Sequence, residues 1–226
     1  MVGVFDSGMG GLFALSELRR LSPKTDIAFL KDSKNAPYGT KSEEQILSFT
    51  SSAIEKLLAF GAERVLMACC TASTVYKMLP ENLRSVSVPI ISPTAKKAVL
   101  LTENQKIGIL STEATKKSMC FPKEIEKLDK RIFVLSASSL KLVLMAESGK
   151  KDGNLTKEDK EIIAKELLPF KNTDIDTLIL GCTHFAYFEK EIENALGVKV
   201  VNSALVAAEC MIEKTKNEGE GRVFFL

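Results

Sequence analysis

The sequence predicts an α/β fold built on mainly parallel sheets, and three observations predict it. Short β-rich runs alternate with longer helical ones along the whole chain. Several of these runs are continuously apolar, as strands covered on both faces are. Two of them close in a cysteine and open a polar, Thr-containing turn: Val65-Leu66-Met67-Ala68-Cys69-Cys70-Thr71-Ala72 and Leu178-Ile179-Leu180-Gly181-Cys182-Thr183-His184. Strand–helix alternation implies right-handed crossovers, and such folds bind ligands outside the carboxyl ends of their strands.

Taken in order, the expected strands are Val2–Phe5, Asp26–Leu30, Arg64–Ala68, Val88–Ile91, Lys106–Leu110, Arg131–Leu135, Asp176–Leu180 and Lys199–Val201. Leu12, Leu15, Leu18 and Leu21 form the apolar stripe of the first helix. Ser42 with Gln45 reads as a capping box, and Ile46, Phe49, Leu57 and Leu58 give the next helix its apolar side. Thr156 with Asp159 opens a helix expected to end at Pro169. Val88-Pro89-Ile90-Ile91-Ser92-Pro93-Thr94 carries two prolines around an extended run and reads as a crossing between two halves. A second crossing is expected after Asn202-Ser203, and Gly221–Leu226 reads as a terminal strand or tail.

Composition narrows the function classes. The 226 residues are 45% apolar and 27% charged, as in an ordinary globular protein. A net charge of +2, from 31 basic and 29 acidic residues, carries no nucleic-acid footprint. No apolar stretch reaches the roughly 18 residues a bilayer requires, and the start lacks the pattern of a signal peptide. Five cysteines without framework spacing fit a reducing compartment, so free thiols and a cytoplasmic location are expected.

The opening Val4-Phe5-Asp6-Ser7-Gly8-Met9-Gly10-Gly11-Leu12 is a strand, a Gly-rich turn and a helix start. It is not a dinucleotide loop: Phe13 takes the third glycine position, and Asp6 would face a phosphate with negative charge. Its glycines would let the backbone approach a small ligand. Asp32-Ser33-Lys34-Asn35-Ala36-Pro37-Tyr38-Gly39-Thr40 follows the second strand as a candidate pocket wall.

A buried free cysteine often only fills space. Two at matching strand ends, one beside His184, the only histidine, argue for paired proton-transfer groups instead. A zinc site fits poorly, because there is no C-x-x-C pair and one histidine. A Cys-His hydrolase would explain Cys182 and leave Cys69 idle. Cys120 and Cys210 read as core filler.

Taken together, these residues resemble the cofactor-independent aspartate/glutamate racemase superfamily, and within it the glutamate racemases. The resemblance runs along almost the whole chain. It rests on Phe5-Asp6-Ser7-Gly8-Met9-Gly10-Gly11-Leu12, on Asp32 with Pro37-Tyr38-Gly39, on Ala68-Cys69 with Thr71-Ala72, and on Gly181-Cys182-Thr183-His184. Weaker matches are Ser111-Thr112 with Thr115 and Ser118, Glu147 with Gly149, and Val201 with Ser203.

The resemblance implies two pseudo-symmetric α/β lobes with the active site in the cleft between them. The lobes expected are residues 1–93 with 205–226, and 94–204. It implies supply of D-glutamate for peptidoglycan by a two-base mechanism, with no cofactor and no metal. The catalytic residues it implies are Cys69 assisted by Asp6, and Cys182 assisted by His184 with Glu147 in support. Substrate contacts are expected from Ser7, Pro37, Tyr38, Gly39, Cys70, Thr71, Thr115 and Thr183. A small amino acid is the expected partner and a homodimer the expected assembly, without nucleic acid or membrane.

The chain departs from the usual pattern at Cys69-Cys70-Thr71, where the family has Cys-Asn-Thr, and at Ser92-Pro93-Thr94-Ala95, Thr183-His184-Phe185-Ala186 and Asn202. The missing asparagine bears on the substrate. The alternatives are a racemase for aspartate or another amino acid, and a non-catalytic paralogue that binds a ligand or partner.

Overall fold

A computed structural model describes all 226 residues. Nine strands form two sheets: β1 (Val2–Asp6), β2 (Ile27–Lys31), β3 (Arg64–Met67), β4 (Ser87–Pro89), β5 (Lys106–Ser111), β6 (Phe133–Ser138), β7 (Thr177–Gly181), β8 (Lys199–Asn202) and β9 (Val223–Phe225). The first sheet has the order β4-β3-β1-β2-β9 and the second β6-β5-β7-β8. Every strand pair is parallel. Leaving aside β9, the two sheets share one topology: the first strand of each is flanked by its second on one side and its third and fourth on the other. The internal pseudo-symmetry is therefore a property of strand order, although the sequence echo is weak.

Continuous apolar strands need cover on both faces, and the helices supply it. A central core of 27 buried residues joins Val4, Leu66 and Val88 of the first sheet to Ile107, Ile179 and Val201 of the second. Leu15 and Leu18 of helix Gly11–Leu21 and Ala95 and Ala98 of helix Ile91–Leu101 belong to it, as do Ala204 and Ala208 of helix Ser203–Ile212. The outer face of each sheet has its own core of 16 residues. The halves thus share their inner packing, and small side chains let the two crossing helices approach closely. No helix is long and apolar enough to cross a membrane.

Both expected capping boxes form, at Ser42 with Gln45 and at Thr156 with Asp159. Three expectations need correction. The extended run through Val88–Thr94 ends at Pro89, and a helix begins at Ile91. Pro93 sits in that helix's first turn, where no backbone N–H is required of it. The helix opened by Thr156 ends at Glu166, and Pro169 falls in a separate 3₁₀ turn, Leu168–Phe170. Cys120 and Cys210 pack half-buried against the central core rather than inside it.

Candidate active site

The site forms where each sheet reverses its strand order. In the first sheet the chain leaves β1 toward β2 on one side, with β3 on the other; Asp6 and Ser7 close β1, and Cys69 follows β3. In the second sheet Ser111 and Thr112 close β5, and Cys182 follows β7. A crevice opens at such a switch point because the helices on its two sides pack on opposite faces. The two crevices face each other, and Cys69 and Cys182 line one small cavity from opposite lobes. Both thiols are buried, at 5% and 6% exposure.

Cys69 ends its strand and caps the short helix Cys70–Ser73. Its Sγ accepts from Ala72 N at 3.4 Å and lies 3.2 Å from Ser7 Oγ. Burial pushes this thiol up to about 12, and the nearby Asp6 carboxylate adds to the shift; the bonds to Ser7 and Ala72 oppose it. Cys69 therefore rests as a protonated thiol.

Cys182 is built differently. It precedes a 3₁₀ turn, Thr183–Phe188, rather than an α-helix, and its side chain makes no capping bond there. Its partner is His184, whose Nδ1 lies 3.5 Å from Sγ. His184 Nε2 in turn meets Glu147 Oε1 at 2.5 Å, and the same oxygen accepts from Met9 N at 2.9 Å. Burial alone would strip His184 of its charge. The negative charge of Cys182, the bonds to Cys182 and Glu147 and the charge of Asp6 outweigh it and hold the imidazole up to about 10. Glu147 is held below its ordinary value, first by the bond from His184. Behind one thiol, then, stands an imidazolium–carboxylate pair; behind the other stands a buried carboxylate.

Asp6 is fully buried and accepts from Gly8 N at 2.7 Å and from Thr183 Oγ1 at 2.9 Å. It makes no direct bond to Cys69 and acts on that thiol through its charge. Burial holds its own pKa above the ordinary carboxylate value. The Gly-rich turn serves an unexpected purpose. A Cβ on Gly8 would collide with Glu147 and lie 2.9 Å from His184 Nε2; one on Gly10 would collide with Thr183 and lie 2.7 Å from His184 N. The backbone approaches the opposite lobe closely, and Gly8 also lines the cavity. Tyr187 Oη donates to Met9 O at 3.0 Å and completes this clasp.

Of the expected substrate contacts, Ser7, Pro37, Tyr38, Gly39, Cys70, Thr71 and Thr183 line the cavity. Thr115 does not: it lies behind the wall, where its hydroxyl takes a bond from Thr112 at 2.9 Å. Thr112 is the lining residue, 2.9 Å from Thr71 Oγ1 across the cleft. Sequence reasoning missed it as a site residue, although its place just after β5 matches that of Ser7 after β1. Val143 also lines the cavity and was missed, because an apolar residue on a helix signals only core. Asp32 stands one step behind the wall, accepting from Tyr38 Oη at 2.7 Å and from Asn35. Cys70 turns its thiol to Ser203 Oγ at 3.3 Å, and burial raises it well above an ordinary thiol. No group of three or more His, Cys, Asp or Glu side chains is placed to hold a metal ion.

Comparison with known proteins agrees with this geometry. A glutamate racemase of Listeria monocytogenes is 34% identical over 99% of this chain and 87% of its own. A glutamate racemase isoform from Bacillus anthracis superposes with a TM-score of 0.87 at 30% identity, over 100% of this chain and 86% of that one. One from Francisella tularensis, solved with D-glutamate, superposes at 0.86 with 29% identity, over 99% and 86%. The Asp/Glu/Hydantoin racemase family profile matches residues 14–211. With two-thirds of the chain and more covered at this identity, and the fold shared throughout, the chain belongs to the Asp/Glu/hydantoin racemase family.

Proposed function

We propose that this chain interconverts L- and D-glutamate without a cofactor, with Cys69 and Cys182 as the two proton-transfer groups, and that it supplies D-glutamate for peptidoglycan. One observation carries the reading: two thiols from opposite lobes line a single cavity, each in its own polar network. The glutamate racemases at 34% identity and the D-glutamate complex of the Francisella enzyme support the substrate.

Racemisation takes the α-proton from one face and returns a proton to the other, so one group must be base while its opposite is acid. The electrostatics support one assignment of these roles in the resting state. Cys182, paired with the His184 imidazolium, is the base; Cys69, a protonated thiol, is the acid. After one turnover the proton resides on Cys182 and Cys69 is the thiolate, which is the resting state for the opposite enantiomer. The carbanion needs donors already in place. The hydroxyls of Ser7, Thr71, Thr112 and Thr183 ring the cavity and supply them. Glu147 and Asp6 act through their neighbours: Glu147 keeps His184 charged, and Asp6 orients Thr183 and keeps Cys69 protonated.

The cavity measures only about 20 Å³, so the substrate enters an opened form and is enclosed on closure. The proposed moving bodies are residues 1–93 with 205–226 and 94–204, and the proposed assembly is a homodimer, which sedimentation equilibrium tests. The decisive experiment is incubation in D₂O with L- and D-glutamate and with L- and D-aspartate, following loss of the α-proton signal. Exchange of glutamate in both enantiomers supports the reading. Faster exchange of aspartate would move the assignment to another substrate of the same mechanism, and Cys70, where the family has asparagine, is the residue that would carry that change.

A further inference from the structure

A cavity of about 20 Å³ has room for about one water molecule, which needs roughly 10–15 Å³ of such space, and none for an amino acid. Its substrate must arrive from a larger space. One adjoins it: a hollow of about 320 Å³ whose wall shares Pro37, Gly39, Thr112 and Val143 with the cavity. Three other hollows, of about 570, 580 and 810 Å³, share no wall residue with it. The partition is thin. A Cβ on Gly39 would lie 2.9 Å from Thr112 Cβ, so first-lobe backbone meets a second-lobe side chain there with nothing between them. The rim holds Lys41 from the first lobe, Glu113 and Lys117 from the second, and apolar Leu140. Lys117 stands 3.5 Å from Glu113 and is 74% exposed, while Glu113 is also held by Ser138 at 2.6 Å. Lys41 has no ion-pair partner, so the rim keeps an excess positive charge at the mouth of the site.

We propose that this hollow is the entry port and encounter site for an anionic amino acid, with Lys41 and Lys117 drawing its carboxylates in and the Gly39–Thr112 contact as the gate to the two cysteines. It rests on the reading of the chain as a racemase for an acidic amino acid. Focused charge at the mouth of a low-dielectric cleft raises the local concentration of an oppositely charged ligand. The gate lies on the lobe seam, so one opening motion both admits the substrate and breaks the Thr71–Thr112 bond behind it.

Alkylation of Cys69 and Cys182 tests the port without turnover. Iodoacetate is an anion and iodoacetamide is neutral, yet both add to a thiolate with loss of iodide. Peptide mass spectrometry on the full chain gives each cysteine's rate. In the Lys41→Glu/Lys117→Glu double variant the iodoacetate-to-iodoacetamide ratio at the two site cysteines is expected to fall about fivefold or more at low ionic strength, and to return toward the unmodified protein's ratio at high salt. Lys96→Glu/Lys97→Glu, with the same net charge but at a different hollow, is expected to leave the ratio unchanged. An unchanged ratio in the port variant, or an equal fall in the control, overturns the proposal. A chain that fails to exchange glutamate in D₂O but shows the port effect would sink the substrate reading and leave the port standing.

Discussion

Glu147→Gln removes one negative charge behind the second thiol and leaves the shape almost intact. Glu147 Oε1 accepts from His184 Nε2 at 2.5 Å and from Met9 N at 2.9 Å. The amide retains an acceptor oxygen but not the charge. A hydrogen bond to a charged group contributes roughly 1.5–3 kcal/mol. The Glu147 side chain is 35% exposed, so solvent screening argues for the low end of that range, and about 1.4 kcal/mol is one pKa unit. His184, held up to about 10, is therefore expected to titrate about one unit lower in the variant. His184 is the only histidine, so its Cε1–H resonance reports the titration by NMR without further assignment. Stability provides a second readout. A folded pKa of about 10 lies above the ordinary 6.5; the stability from the imidazolium is complete below about 6.5 and is lost as the pH rises through about 10. The wild type is expected to exceed the variant by about 1 kcal/mol at neutral pH, with the gap closing as the pH rises from about 9 through about 10. A wild-type imidazole titrating near 6.5, or an unmoved pKa in the variant, would refute the charge-coupled account of Cys182.

Other expectations follow from the same geometry. Cys69→Ser and Cys182→Ser are each expected to lower racemisation by about 10²-fold or more in steady-state assays, whereas a Cys-His hydrolase would be indifferent at Cys69. Gly10→Ala would set a methyl group against Thr183 and His184. It is expected to keep the far-ultraviolet circular dichroism of the wild type and to lose about tenfold or more in kcat/KM, because the clasp can no longer close. Cys70→Asn adds donors and an acceptor that a thiol lacks. If glutamate is the substrate, kcat/KM is expected to rise about tenfold, and a fall would mean that Cys70 shapes the pocket for another amino acid. Exhaustive dialysis against chelator is expected to leave turnover unchanged, and a loss restored by a metal ion would overturn the two-thiol mechanism.

Much of the fold was legible because its signals are local. Continuous apolar runs mark strands covered on both faces, and Ser42 and Thr156 announce helix starts through bonds spanning three residues. The cysteines were legible for the same reason: each closes an apolar run, and in a parallel α/β fold that is where chemistry occurs. The boundary at Pro89 was misread because proline is as compatible with a helix's first turn as with an extended crossing, and only the helix packed behind Ile91 decides between them. Thr112 was passed over for Thr115, since both are hydroxyls a short distance after one strand; which of them faces the cleft depends on how the turn after β5 meets Thr71 of the other lobe.

The sequence by itself determined the α/β class, the strand ends that carry Cys69 and Cys182, and the residue types available for proton transfer, because these depend on periodicity, capping and side-chain chemistry within a few residues. Only the tertiary structure decided the electrostatics around them. That Cys69 rests protonated follows first from its own burial and then from Asp6 beside it, and that His184 stays charged follows from Cys182 and then from Glu147, which arrives from a helix 37 residues earlier. That Gly8 and Gly10 serve the meeting of the lobes follows from atoms more than 130 residues away along the chain. Charge, burial and close approach act through space, and a linear sequence records none of those distances.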